Sequence, residues 1–312
     1  MVKNKKQHPQ LANTVLMVNP SKFGYNRETA LTNFFQNEHH KSSTLLKKRA
    51  IKEFSKAVNI LRGENINVLI LDSPKTTSTP DAVFPNNWFS YHQDGLLVIY
   101  PMLTPNRRKE RQIAKLKKLL ESNEIKVNRI INLSINENQG RILEGTGSMV
   151  LDRINKIAFA MESPRTVNKM FTKWCKVMGY KGFIFRGYDK NDVAIYHTNV
   201  MMSIGDGFVV ACMEAIKDSR VREMLELEFK KYNKELIPIT LNQVYSFCGN
   251  ILHVLSSDGK RKIIMSKSAY ETFTSAQRGK LKKYGDLVSL NIPTIESIGG
   301  GSARCMLAEI FK

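Results

Sequence analysis

Short apolar runs alternate with longer amphipathic stretches along most of the chain. The segment Thr14–Asn19 is mostly apolar and predicts a buried first strand. Further runs rich in Val, Ile, Leu and Phe predict strands at residues 68–71, 96–100, 157–161, 182–186, 208–213, 251–255 and 263–265. The pattern therefore predicts a mixed α/β fold.

The amphipathic stretches predict five helices, which begin near residues 45, 106, 164, 218 and 268. Thr104 and Ser163 are each followed by proline, a pair that is typical of a helix start. Gly63 and Gly179 are typical helix ends. Residue identities do not repeat between the units, so the inference of five helix-bearing units rests on helix spacing alone.

No linker rich in Pro, Gly or Ser divides the chain, and 42% of its residues are hydrophobic. We therefore expect a single catalytic domain over residues 13–312, because a chain of this length can bury a large core. Residues 1–12 are polar and basic, and we expect them to form a flexible tail.

The formal net charge is +20, from 48 Lys and Arg against 28 Asp and Glu. Such a charge can indicate nucleic acid, an anionic membrane surface or acidic ligands. From Arg107 to Lys118, however, the basic residues interleave with Ile113 and Leu116, which predicts the solvated face of an amphipathic helix. The charge is therefore interpreted as a surface property, and nucleic acid is not the expected partner.

Other features exclude whole classes of protein. No apolar run approaches the roughly 20 residues of a membrane-spanning helix, and no apolar segment near residue 1 resembles a secretory signal. We therefore expect no membrane association and a cytoplasmic location. The cysteines show no CxxC spacing and the six histidines no metal-binding motif, which excludes a disulfide scaffold or structural zinc.

Four segments have compositions that are unusual both for a buried core and for a solvated surface. The loop at residues 79–90 combines two prolines and large aromatics with Asn86 and Asn87, although an ordinary aromatic-rich turn explains it about equally well. At Glu144, a carboxylate precedes a glycine-rich turn, a weak motif that a hairpin would also produce.

The other two segments contain a candidate base and a candidate nucleophile. His197 begins a polar triplet that runs into an apolar strand at Val200, and a histidine can exchange a proton near neutral pH, although a lone histidine is more often structural. Three glycines precede Cys305, as expected of a thiol presented at a tight turn with backbone N–H groups nearby. A flexible loop before a buried structural cysteine is the alternative. Cys248 lacks such a glycine run and ranks far lower.

In order and spacing, these segments resemble the guanidino-group-modifying enzymes of the pentein superfamily, which includes arginine deiminases, dimethylarginine dimethylaminohydrolases, succinylarginine dihydrolases and amidinotransferases. The resemblance implies a five-bladed α/β propeller with pseudo-fivefold repeats and no metal or organic cofactor. It implies that Cys305 attacks a guanidino or ureido carbon to give a covalent thiouronium-type adduct, and that His197 acts as acid and base. Glu144 would hold the histidine or the substrate. The implied substrate-binding residues are Asp81, Phe84, Asn86, Asn87, Asn199 and Asn250.

Two positions depart from the arginine deiminase pattern. Asn87 and Asn199 stand where aspartates are common. A carboxylate suits a guanidinium cation, whereas an amide suits a neutral ureido group, so we expect a citrulline-type substrate or two successive hydrolyses of an arginine derivative. An amidinotransferase and a non-catalytic nucleic-acid-binding protein on the same scaffold are the alternatives. The exact compound and any homo-oligomer are left open.

Overall fold

The computed structural model of the protein describes residues 8–38, 42–74 and 77–312. Within these ranges, strands are arranged in five three-stranded sheets. In chain order they are β1 (Thr14–Asn19), β2 (Asn67–Asp72), β3 (Phe89–Tyr91), β4 (Leu96–Ile99), β5 (Arg129–Asn132), β6 (Met149–Asp152), β7 (Ile157–Met161), β8 (Lys181–Phe185), β9 (Met202–Ile204), β10 (Phe208–Ala211), β11 (Glu235–Pro238), β12 (Leu252–Leu255), β13 (Arg261–Ser266), β14 (Asp286–Leu290) and β15 (Ala308–Ile310).

One pairing scheme repeats in all five sheets. In β3-β4-β5, the middle strand lies antiparallel to its hairpin partner and parallel to the strand that follows a helical crossover. The sheets β6-β7-β8, β9-β10-β11 and β12-β13-β14 have the same arrangement. In the remaining sheet β15 takes the hairpin position beside β1, so that Ile310 pairs with Thr14. The predicted pseudo-fivefold repeat is therefore present as a repeat of topology.

Helices connect the paired strands and cover the sheets. The α-helices of the described residues are Arg27–Ala30, Ser43–Gly63, Pro105–Arg108, Ile113–Glu121, Gly145–Ser148, Asn168–Met178, Thr198–Met201, Ser219–Lys231, Leu241–Tyr245, Lys267–Thr272, Ser275–Lys282 and Pro293–Gly299, and the 3-10 helices are Pro85–Asn87, Ser134–Gln139 and Met213–Ala215. Among these residues no helix is long and apolar enough to cross a membrane.

The crossover helices bury one apolar face. In Ser43–Gly63, the buried residues recur at helical spacing and pack against the sheet that contains β1 and β2. They are Leu46, Ala50, Phe54, Ala57, Val58 and Leu61. The core therefore lies between helices and sheets.

One predicted helix start and the extent of another predicted helix need correction. The helix predicted from Ser163 begins at Asn168 instead, because Ser163 and Thr166 exchange backbone hydrogen bonds of 3.2 and 3.0 Å in a tight turn. The helix predicted near residue 106 ends at Arg108, and a second helix begins at Ile113. Arg107 is only 2% exposed, so its assignment to a solvated face was wrong.

The predicted flexible tail also needs correction. His8 Nε2 lies 3.2 Å from Asp206 Oδ2, and Gln10 Nε2 donates to the Leu151 carbonyl across 3.0 Å. Leu11 and Ala12 are buried, which removes their apolar surface from water and stabilises this packing. The prediction is wrong for residues 8–12, while residues 1–7 lie outside the described residues.

Neighbouring sheets meet at β3, β6, β9, β12 and β15, or at the short turns directly before these strands. We call these five strands the inner strands, and each follows a segment that contains polar residues. The segments before the inner strands are Pro85–Asn87, Gly145–Ser148, Thr198–Met201 and the loops at residues 247–251 and 299–307. The fold therefore gathers five polar segments at one end of the inner strands.

Candidate active site

Cys305 lies in the turn before β15, where its side chain is 3% exposed. Asn250 Nδ2 donates to Cys305 Sγ across 3.2 Å, and Asn199 Nδ2 approaches the same sulfur at 3.5 Å. Asn250 Oδ1 accepts from the Arg304 backbone N–H at 3.0 Å, which fixes the orientation of the amide. Two N–H donors thus face the sulfur and can stabilise negative charge on it.

The glycine run before Cys305 has a packing explanation. A Cβ atom added to Gly299 or Gly301 would lie 2.7 and 2.9 Å from the ring of Phe84. Gly300 has a left-handed φ of 63° at the end of a helix, and its N–H bonds back to that helix. The glycines therefore admit Phe84 and terminate a helix. Phe84 thus packs against the cysteine segment, and its contact with substrate stays a prediction.

The pair formed by His197 and Glu144 lies beside this segment. His197 Nε2 is 2.9 Å from Glu144 Oε2, and both side chains are buried. Burial, with smaller effects from Arg165 and Arg107, lowers the pKa of His197 to about 4 despite the favourable contact with Glu144. His197 is therefore neutral at pH 7. With its Nε2–H donated to the carboxylate, Nδ1 has the free lone pair.

Glu144 is ionised although it is buried. Burial would raise its pKa, but Arg165, His197 and Arg107 together lower it to about 2. Its Oε2 lies 3.6 Å from Arg165 Nη1 and 3.8 Å from Arg107 Nη1, and its Oε1 accepts from the Leu103 N–H at 3.0 Å. The carboxylate is thus held in one orientation towards the imidazole.

The glycine-rich turn after Glu144 is a one-turn helix, Gly145–Ser148, and not a hairpin. A Cβ atom on Gly147 would lie 2.8 Å from the Nδ1 and Cε1 atoms of His197 and would also collide with Asn87 Nδ2. The absence of a side chain at Gly147 is therefore what lets the imidazole and the Asn87 amide approach each other. Similarly, Thr198–Met201 forms a helical turn, so the strand predicted from Val200 begins at Met202.

Asn87 is oriented by a residue that the sequence pattern placed on the surface. Arg107 Nη1 donates to Asn87 Oδ1 across 2.7 Å, while Arg107 Nε and Nη2 each donate to a Glu110 oxygen at 3.0 Å. Burial raises the pKa of Glu110 to about 7, against the opposing effect of Arg107. Asn87 Nδ2 donates to Asn86 Oδ1 at 3.0 Å. The sequence signal for this pair is the spacing of three residues between Arg107 and Glu110, which suits an ion pair.

Asp81 is buried nearby with one oxygen occupied. Its Oδ2 accepts from Asn26 Nδ2 at 2.7 Å and Thr29 Oγ1 at 2.9 Å. Its Oδ1 has no hydrogen-bond partner among the described residues, and burial raises the pKa of the carboxyl. Asp81 therefore retains an acceptor for a ligand N–H.

Residues 26–36 cover this region, and the sequence pattern did not predict this cover. Besides the contacts of Asn26 and Thr29 with Asp81, Asn33 Nδ2 donates to the carbonyls of Gly299 and Gly300, each at 3.3 Å. The predicted acidic, basic and nucleophilic groups are thus closed off from solvent. Within the described ranges, no group of three His, Cys, Asp or Glu side chains is arranged to hold a metal ion.

The sequence profile of the family described as "N,N dimethylarginine dimethylhydrolase, eukaryotic" matches residues 19–312. The chain belongs to this family. The predicted class, a cysteine-dependent C–N hydrolase of the guanidino-modifying superfamily, is thereby confirmed. No protein of curated function matches the sequence.

Solved structures of low sequence identity share the fold. The substrate-bound N-terminal domain of ArgZ, described as an arginine dihydrolase from cyanobacteria, is 18% identical with a TM-score of 0.72, over 96% of this chain and 98% of that one. AgrE with L-arginine is 20% identical with a TM-score of 0.72 over 96% of this chain, which spans only 40% of AgrE. DDAH from Pseudomonas aeruginosa with citrulline is 13% identical with a TM-score of 0.65, over 96% of this chain and 100% of that one. The predicted mixed α/β fold with pseudo-fivefold repeats is confirmed.

Proposed function

We propose that this protein hydrolyses the ureido group of a citrulline-type amino acid, with Cys305 as nucleophile and His197 as acid and base. Glu144 holds the imidazole. The observation that carries the ureido assignment is the 2.7 Å hydrogen bond from Arg107 to Asn87.

This bond decides which face of the Asn87 amide a substrate meets. A guanidinium group can only donate, so the atom of Asn87 that faces Arg107 is the carbonyl oxygen. The amide nitrogen has two hydrogens, of which Asn86 Oδ1 accepts one. A single N–H donor is left, and it suits the carbonyl oxygen of a ureido group, whereas a guanidinium would present a further N–H to it. Asp81 Oδ1 provides the acceptor for the ureido N–H groups.

The proposed reaction has two steps. Cys305 Sγ attacks the ureido carbon, the bond to the terminal nitrogen breaks, and that nitrogen takes a proton relayed by His197 and leaves as ammonia. The remaining S-thiocarbamate is attacked by water, which neutral His197 deprotonates. The carbon–sulfur bond breaks, Cys305 is restored, and the carbamate that forms decomposes to carbon dioxide and the free amine. For citrulline, the products are ornithine, carbon dioxide and ammonia.

The same groups can process arginine in two rounds, through a thiouronium adduct to the ureido compound and then to the amine. The description of ArgZ as an arginine dihydrolase supports including arginine in the test. In that case Asp81 Oδ1 accepts from the guanidinium in the first round, and Asn87 donates to the ureido oxygen in the second.

Product analysis tests the proposal. Purified protein is incubated separately with citrulline, arginine, agmatine and succinylarginine, and ammonia and the free amine are quantified, with Cys305→Ala as the control. We expect ornithine from citrulline and none from the control. Ammonia release from arginine with citrulline left untouched would overturn the ureido assignment. Transfer of the amidino group to an added amine would favour an amidinotransferase.

We keep three further predictions: a cytoplasmic location, the absence of a nucleic-acid partner and a catalytic domain that extends over residues 13–312. Homo-oligomerisation stays open. Salt-sensitive nucleic-acid binding without turnover of any guanidino or ureido compound would favour the non-catalytic alternative.

A further inference from the structure

A pocket of about 270 Å³ lies at the other end of the inner strands from Cys305. His92 follows β3, Arg153 follows β6 and Phe311 follows β15, whereas the proposed catalytic residues precede inner strands. Inner strands of three or four residues separate the two ends by about 10 Å. The pocket is therefore distinct from the proposed active site.

The lining of this pocket is strongly basic. Arg153, Lys156 and Arg129 contribute three cations, against the single carboxylate of Asp94. Asp94 lies 3.8 Å from Arg129, and Lys156 has no ion pair with any residue in the described ranges. Lys156 Nζ lies 5.0 Å from the centre of the Tyr180 ring. Excess positive charge in a concave site concentrates anions there.

The floor of the pocket is preorganised. Arg153 and His92 are each 7% exposed. Arg153 Nη1 lies 3.3 Å from His92 Nδ1, and because arginine only donates, the imidazole accepts there and is neutral. Burial and the neighbouring cations lower the pKa of His92 well below its usual range. A buried arginine with a fixed orientation recognises carboxylate or phosphate oxygens well.

We propose that this pocket binds a small multivalent oxyanion, such as a phosphate monoester or a dicarboxylate, and that its occupancy alters turnover at Cys305. Arg153 Nη2 donates to Glu309 Oε2 at 3.2 Å, and Arg304 Nη2 donates to the same oxygen at 2.7 Å. An anion on Arg153 competes with Glu309 and leaves that carboxylate to Arg304.

The remaining link to the thiol is short. The Arg304 backbone N–H bonds to Asn250 Oδ1, and Asn250 Nδ2 bonds to Cys305 Sγ. A shift of Arg304 towards Glu309 therefore changes the position of the amide that faces the sulfur. Coupling between two such sites typically changes a binding or rate constant by at least about fivefold.

Calorimetry with pyrophosphate, inorganic phosphate, malonate and malonamide at about 0.15 M salt tests binding without any need for turnover. We expect saturable 1:1 binding of a phosphate or dicarboxylate probe and none of neutral malonamide. Lys156→Gln should weaken binding about tenfold, whereas Lys267→Gln, which removes the same charge elsewhere, should not. The proposed anion site would be overturned if no probe bound, or if binding occurred at multiple weak sites and both variants weakened it equally.

The coupling is tested on the substrate that the enzyme turns over. We expect saturating anion to change kcat or KM about fivefold in the wild type and in Lys267→Gln, but not at the same concentration in Lys156→Gln. Binding with unchanged kinetic constants would overturn the coupling. The test of coupling rests on the proposed function, because it needs measurable turnover. The calorimetric test of anion binding needs no substrate and holds even if the proposed substrate is wrong.

Discussion

Asn250 donates its side-chain N–H to Cys305 Sγ across 3.2 Å, and this amide is held in place by the backbone N–H of Arg304, the residue directly before the cysteine. The thiol and the group that faces it are therefore fixed by the same turn. The glycines before Cys305, which predict a thiol presented at a tight turn, pack against Phe84.

Replacing Asn250 by Asp tests this contact. A carboxylate would place a negative charge beside the sulfur and remove an N–H donor, so it opposes formation of the thiolate. We expect Asn250→Asp to slow turnover by about 100-fold, the effect of losing one charge-stabilising donor, and to slow alkylation of Cys305 by iodoacetamide. Asn123→Asp, a partly exposed asparagine away from the site, is the matched control. Alkylation at the wild-type rate in Asn250→Asp would contradict the proposed role.

Gly147 tests the approach of His197 to Asn87. A methyl group at Gly147 would collide with both side chains, so Gly147→Ala should displace the imidazole and lower kcat/KM at least about 100-fold, the usual size of an acid–base contribution. Gly279→Ala is the control, since nothing lies within 4 Å of a Cβ atom there. Circular dichroism would verify folding of both variants. Full activity in a folded Gly147→Ala variant would exclude the described geometry from catalysis.

Substitution of Asn87 tests whether the site prefers a ureido group or a guanidinium group. In Asn87→Asp, the residue would present carboxylate oxygens where the amide presents an N–H, which disfavours a carbonyl oxygen and favours a cation. We expect the ratio of kcat/KM for citrulline to that for arginine to fall by about 10- to 100-fold, as for one exchanged hydrogen bond to a charged group. Steady-state kinetics with both substrates measure this ratio. An unchanged ratio would show that Asn87 does not discriminate between them.

The buried pair of His197 and Glu144 predicts how stability depends on pH. His197 has a folded pKa of about 4 against an ordinary value of 6.5, so the unfolded chain binds more protons between these values. Stability is therefore lost as the pH falls from 6.5 towards 4, by up to about 3 kcal/mol from this residue. Glu144, with its pKa lowered from 4.5 to about 2, adds a further loss below pH 4.5.

Urea unfolding at pH 7 and pH 5 measures this dependence. We expect the wild type to lose more stability between the two pH values than His197→Gln, which cannot titrate. Because the buried residues His92 and His253 also have lowered pKa values, only the difference between the two proteins reports on His197. Equal losses in both proteins would refute the lowered pKa of His197.

The repeating fold could be predicted from sequence because each unit contains a strong apolar strand and an amphipathic helix. The strands at residues 157–161 and 68–71 match the observed β7 and β2 closely. Helix boundaries were less predictable where a polar side chain turns inward. Arg107 has the pattern of a surface residue. Its spacing from Glu110 is visible in the sequence, but its burial becomes evident only when the loop at Asp81 packs against it.

Cys305, His197 and Glu144, the proposed catalytic residues, could be predicted because each lies in a segment directly before an inner strand. Core packing alone does not explain polar residues at these positions. Arg165 and the cover formed by residues 26–36 were missed, because their contacts join parts of the chain more than 50 residues apart. Arg165 Nη2, for example, donates to the Thr29 carbonyl at 3.0 Å. Local patterns contain no information about such pairings.

The most direct test of the central claim is mass spectrometry of the acid-quenched enzyme after brief incubation with citrulline. The account predicts a covalent adduct with the mass of citrulline less ammonia, located on the peptide that contains Cys305. It predicts no such adduct in Cys305→Ser and a slower approach to it in His197→Ala. An adduct on Cys248, or turnover of citrulline by Cys305→Ser, would contradict the account.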